Sequence, residues 1–198
     1  MSSISVGRLL RANTSACVFG CQVSQVNPPV FGEMVRIPLA NGLQLYGLVH
    51  EINIDDDGLV RQLVSAPDIA PEVIEDNRQN RNMPVEMSVV FIGWERTGAV
   101  SHTRVPTPPL SLDEIFTCTP PEIIHFLYGG KFGYLRALLR NEDLPAADLI
   151  TAHLQQITRA QQGESTNWIE PSLREVIALL KDDYPVLMDV LSAVSQVL

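Results

Sequence analysis

Three features that would announce a secreted, membrane-spanning or nucleic-acid-binding protein are missing from this sequence. Its 198 residues contain only three cysteines, Cys17, Cys21 and Cys118. An odd number with no secretory leader argues against a disulfide framework. Residues Met1–Ser5 lack the basic start and apolar run of a signal peptide, which predicts a cytoplasmic location. No stretch approaches the roughly 18–20 consecutive apolar residues of a membrane span. Positive charge is scarce: 14 Lys+Arg stand against 23 Asp+Glu, a formal net charge of −9. Residues 1–110 hold 8 arginines, no lysine and 11 acids, and residues 111–198 hold 6 bases and 12 acids, so neither part has a basic stripe. Affinity for nucleic acid rests on neutralising phosphates, so direct binding of DNA or RNA is not expected.

The motifs of common catalytic and cofactor sites are missing too. His50, His102, His125 and His153 are scattered, with no HExxH or His-x-His pattern to hold a metal. Cys17 and Cys21 have no partner pair at ligand spacing and read as small packing residues on one face of a strand. The string Tyr128-Gly129-Gly130-Lys131-Phe132 fails as a phosphate loop, because His125 stands where glycine is needed and Phe132 where Ser or Thr is needed. Asp55-Asp56-Asp57-Gly58 fails as a calcium loop, because its twelfth position is Ala66 rather than Glu. No GxSxG elbow is present, and carboxylate pairs such as Glu142-Asp143 and Asp182-Asp183 sit where turns solvate them. These absences assign no catalytic, cofactor-binding or metal-binding residue and favour a protein that is not an enzyme.

What is present divides into two grammars. Up to Arg96, short β-rich runs alternate with Gly, Pro, Asn and Asp. Strands are expected over residues 4–10, 16–23, 34–38, 43–54 and 87–94, with Asn41-Gly42 as a hairpin turn. Residues 66–84 read as a polar, proline-punctuated excursion with one helical turn near Pro71–Asp76. The run Val89-Val90-Phe91-Ile92 must put apolar groups on both faces of its strand, since side chains alternate. Several short strands with turns between them favour a small barrel.

Residues 97–110 read as a linker ending in Pro106-Thr107-Pro108-Pro109. From Ser111 the period turns helical, with Ser111 capping a helix over Leu112–Phe116. Thr119-Pro120-Pro121-Glu122 is a capping box with proline at its start, and Gly129-Gly130 stops that helix. Later stripes are Phe132, Leu135 and Leu139; Ala146, Ile150, Leu154 and Ile157; Leu173, Val176, Ile177 and Leu180; and Leu187, Val190, Leu191, Val194 and Leu198. The expected fold class is α+β: a β-barrel over 1–104, a proline-rich linker over 105–110, and a helical domain over 111–198. Apolar groups that the barrel cannot turn inward (Leu48, Ile52, Val90, Ile92) and the last stripe (Leu187, Leu191, Val194, Leu198) are candidate interaction residues.

The first ~110 residues resemble the HAS-barrel, the small β-barrel shared by the N-terminal regions of HerA-type DNA-translocating ATPases and ATP synthase subunits. The ordered strings that carry the resemblance are Val6-Gly7-Arg8-Leu9-Leu10, Gly32-Glu33-Met34-Val35, Leu45-Tyr46-Gly47-Leu48-Val49, Val90-Phe91-Ile92-Gly93-Trp94 and the exit Arg104-Val105-Pro106-Thr107-Pro108-Pro109. An ATPase core follows this exit in that family; here helices follow, without a phosphate loop. The resemblance implies the barrel's role without the motor: self-association or docking to a protein partner. An accessory, protein-contact subunit of a HerA-type ATPase or nuclease system is one alternative. A hydrolase with its site between barrel and helices is another.

Overall fold

The computed structural model describes residues 4–21, 28–55, 58–79, 84–160 and 169–195. Its strands are β1 (Ser5–Ala12), β2 (Ala16–Cys21), β3 (Met34–Pro38), β4 (Leu43–Asn53), β5 (Val85–Arg96), β6 (Ala99–Ser101) and β7 (Glu114–Thr117). Antiparallel pairing runs β1-β2-β5-β4-β3-β7 and returns from β7 to β1, closing a six-strand barrel. Strand β6 stays outside the ring and folds back on β5, through Thr97 and Gly98 at φ 50° and 82°. Two such residues suit the tight hairpin turns that match strand twist. The helices are α1 (Leu59–Val64), α2 (Pro71–Gln79), α3 (Pro120–Gly129), α4 (Leu135–Leu139), α5 (Ala146–Ala160), α6 (Ile169–Leu180) and α7 (Tyr184–Ser195). The chain is thus α+β, an N-terminal closed barrel followed by helices.

Alternation along the strands builds two cores. Val85, Met87, Val89 and Phe91 of β5 join Leu43, Leu45 and Val49 of β4 inside the barrel, with Phe19, Ile37 and Ile115. The intervening Val90 and Ile92 point outward with Tyr46 and Leu48, and there they meet Phe126, Leu127, Tyr134, Leu149, Ile150 and Val194 of the helical layer. The helices therefore cover the wall made by β3, β4 and β5.

Three expectations are corrected. The segment expected as a helix over Leu112–Phe116 is instead strand β7. A segment of four or five residues carries no decisive period; here the gap between β1 and β3 decides, taking Ile115 into the barrel interior at 0% exposure. Leu112, at φ +72°, stands outside helical geometry altogether. The barrel thus takes its last strand from beyond the proline-rich segment. Within the segment expected as a linker, Ala99–Ser101 pairs with β5. In the excursion over residues 66–84 the helical turn expected near Pro71–Asp76 lengthens into the nine-residue α2, and a short helix that was not expected, α1, precedes the excursion.

Gly32 seats the helices on the barrel. It has φ +81°, and a β-carbon there would lie 2.6 Å from the Ala152 Cβ and 2.9 Å from the His153 nitrogen of α5. Only glycine meets both demands.

If Ile115 closes the barrel, Ile115→Ala should cost about 2–4 kcal/mol in urea denaturation, the range for an aliphatic side chain cut back in a packed core. A loss below about 0.5 kcal/mol, typical of a surface position, would show that β7 is not part of the barrel.

Candidate functional site

The most unusual chemistry lies between barrel and helices, where rings from five segments stack. Tyr46 of β4 meets Phe126 of α3 at 4.5 Å between centroids. Phe126 meets His102 at 4.5 Å, His102 meets Tyr134 edge-on at 5.3 Å, and Tyr134 meets His153 of α5 edge-on at 5.6 Å. The His102 ring is fixed by backbone: its Nδ1 accepts from the Tyr134 N–H at 3.1 Å, so Nε2 carries the proton and donates to the Phe126 carbonyl at 3.0 Å. A β-carbon on Gly130 would lie 2.3 Å from this ring. The glycine pair expected to stop α3 thus also makes room for His102.

His153 is fully buried, and neither ring nitrogen has a hydrogen-bond partner. Burial pulls its pKa down from 6.5 to about 4; the Gly32 carbonyl nearby opposes the shift without reaching hydrogen-bond geometry. His102 is pulled down by burial as well, opposed by the carbonyls of Phe126 and Gly130. The Tyr134 hydroxyl is sealed and unpartnered, its pKa raised by burial. Both histidines are held neutral. From the helical wheel His153 is expected at a packing edge; the turn at Gly32 closes over it and makes it core.

A polar band staples α3 to the wall beside this stack. Arg36 Nε lies 2.8 Å from Glu122 Oε1, and its guanidinium sits 4.9 Å above the Phe116 ring. Glu122 also accepts from the Thr119 N–H at 2.8 Å, completing the expected capping box. The Tyr46 hydroxyl donates to Glu95 at 2.8 Å, and Glu95 reaches the exposed His125 at 3.5 Å. The arrangement clamps elements together and leaves no free base beside a nucleophile within it.

All three cysteines are free thiols. Cys17 and Cys21 both point into the barrel, and burial pushes the Cys17 thiol up to about 12, which keeps it protonated and unreactive. An open groove of about 190 Å³ at the β1–β2 turn is lined by Arg11, Ala12, Asn13, Ala16, Cys17 and Val18. Among the described residues, no group of three or more His, Cys, Asp or Glu side chains could hold a metal.

Among the described residues, none of the helices packs as a layer on the outward side of β1, β2 and β7. Its arginines are paired: Arg8 with Glu114 at 2.8 Å and Arg11 with Glu86 of the adjoining β5 at 3.0 Å. Beside them the loop into β7 displays Leu110 and Leu112, 73% and 68% exposed, next to the partly exposed Leu10. The loop is rigidly held. Leu112 donates to the Leu9 carbonyl, Arg8 donates to the Leu112 carbonyl, Ser111 donates to the Leu10 carbonyl, and the Asp113 carboxylate accepts from the Leu110 N–H. A left-handed leucine costs about 1–2 kcal/mol, and at 68% exposure it hides little surface here, so the fold gains little from leucine at this position.

The candidate interaction residues fall apart into three groups. Leu48, Val90, Ile92 and Val194 are buried in the chain's own second core and are unavailable to a partner, which corrects their assignment. Leu187 and Leu191 of α7 are half-buried on the same side. Ile52 is 39% exposed near the end of β4, and Leu198 lies outside the described residues. Leu10, Leu110 and Leu112 were not expected; the alternating leucines after Pro108-Pro109 were the only sign of them.

Compared with models of known protein families and with curated proteins, the sequence matches none.

The buried histidine makes stability depend on pH. A folded pKa of about 4 against 6.5 in the unfolded chain means that the full stability holds above 6.5 and is lost as pH falls toward 4. His153 alone should lower the unfolding free energy by roughly 3 kcal/mol between pH 7 and pH 4. Urea melts of His153→Leu should show a correspondingly smaller acid loss than the parent. An equal loss in both would place the titration elsewhere.

Proposed function

We propose that the chain is a non-catalytic assembly module that joins a second copy of itself through the bare part of its barrel wall. The observation that carries this reading is the rigid loop presenting Leu110 and Leu112 beside Leu10. Exposed apolar groups held in a costly conformation cost stability in a lone chain and gain it only on contact. Charge supports a second copy over other partners. A chain of net charge −9 repels itself over most of its surface, but here Arg8–Glu114 and Arg11–Glu86 pair off, and Asp113 in the loop adds one negative charge, so the repulsion is small.

The closed six-strand barrel also suits the HAS-barrel resemblance, which by itself assigns the barrel to subunit packing. Under the accessory-subunit alternative, the same wall would meet the barrel of a HerA-type protein instead of a second copy. A hydrolytic site between barrel and helices finds no support in that space, where apolar side chains pack around both buried histidines.

Sedimentation equilibrium of the full chain should give a mass above one protomer. Leu110→Ser/Leu112→Gly should shift it to the monomer while leaving thermal stability of the monomer unchanged or slightly higher, since glycine relieves the left-handed strain. A parent chain that is strictly monomeric at high concentration would overturn self-association. A variant that associates as well as the parent would move the contact to another surface.

A further inference from the structure

The helices α1 and α2, between β4 and β5, are the part of the molecule that the rest of the fold explains least. At 6 and 9 residues both are far shorter than the ~12–15 residues at which isolated helices become even marginal in water, so they need packing to persist. Yet among the described side chains from Gly58 to Asp76 none is buried. Val64 is 77% exposed, Val73 45% and Ile74 37%, and Ile54 at the root of the segment is 64% exposed. Val73 and Ile74 lie on α2 among Glu72, Glu75 and Asp76, so its apolar side chains are set in carboxylates. The sequence from 54 to 79 carries seven acids and two arginines, a net −5 of the chain's −9 in 26 of its 198 residues.

We propose that this arm is a docking element for a cationic amphipathic segment of another protein. The exposed apolar side chains supply contact beyond the partial cover of Val60, Leu63 and Ile69, and the carboxylates select lysine- or arginine-rich partners and speed their encounter. The same charge argues against the other occupants. A second copy would bring a second acidic arm and has no basic stripe to offer, while anionic lipid and nucleic acid would be repelled. The arm and the bare wall share no residue, so this inference stands whether or not the chain self-associates.

The test uses the full chain and a synthetic helical peptide of about 18 residues, five turns long, with leucine on one face and lysine on the other. Two control peptides replace lysine by glutamate, or leucine by serine. At physiological ionic strength the Leu/Lys peptide should bind saturably, and neither control should. Amides of α1 and α2 should exchange quickly in the free chain and become protected when it binds. Val73→Ser/Ile74→Ser and Asp68→Lys/Glu72→Lys should each weaken binding by about tenfold or more. Leu110→Ser/Leu112→Gly, on the other surface, should leave it unchanged. Protection confined to another element, or full affinity in both arm variants, would overturn the proposal. So would an arm already protected in the free chain in proportion to its concentration, which would make a second copy the occupant. Exchange on the unmutated chain decides the matter even if an arm variant fails to fold.

Discussion

The long antiparallel pair β4 and β5 carries apolar side chains on both faces, so neither face can meet water without a large loss. Its inner face is satisfied by barrel closure, with Leu45, Val49, Val89 and Phe91 inside. Its outer face, with Tyr46, Leu48, Val90 and Ile92, is satisfied by the chain's own helices. At about 25 cal/mol per Å² of apolar surface buried, a second core of this kind makes the helical layer part of the same cooperative structure as the barrel. The choice of which wall to cover also decides which is left bare. Helices spent on β3, β4 and β5 cannot cover β1, β2 and β7.

That division separates the molecule's chemistry from its surfaces. Three groups whose pKa values burial displaces, His102, Tyr134 and His153, lie at the joint between the layers, where burial keeps the histidines neutral. His102 is fully engaged by the backbone, and it couples the end of β6 to the turn that starts α4. His153 has no such partner. It serves packing at neutral pH and opposes folding in acid, which makes the joint the acid-sensitive element of the fold. The features suited to contact lie away from it, on the leucine loop and on the acidic arm.

Much of this was legible in the residues. Asn41-Gly42 marks the hairpin between β3 and β4, the unbroken apolar run from Val89 to Ile92 foretells a two-faced strand, and Thr119 with Glu122 marks the start of α3. What escaped reading was settled by tertiary context. Glu114–Thr117 is too short to show a period, and only the opening between β1 and β3 makes it a strand. The outward residues of β4 and β5 could be recognised as needing a cover, but not whose helices would provide it. His153 lies on the same helical stripe as Leu154 whether it is core or edge, and the difference comes from Gly32, over a hundred residues away. The alternation of Leu110 and Leu112 does not by itself tell exposed side chains from buried ones. Their meaning depends on the hydrogen bonds that hold them out.

The central claim is that the wall left bare by the helices is where two copies meet. A spin label at Leu112→Cys tests it most directly, because Cys17 and Cys21 are enclosed in the barrel and Cys118 can be replaced by serine. Electron–electron double resonance should give one short, well-defined distance between labels on two copies, and a label at Glu175 on α6 should give a longer one. The reverse order, or no interlabel distance at Leu112 in protein that sediments as an oligomer, would contradict the account.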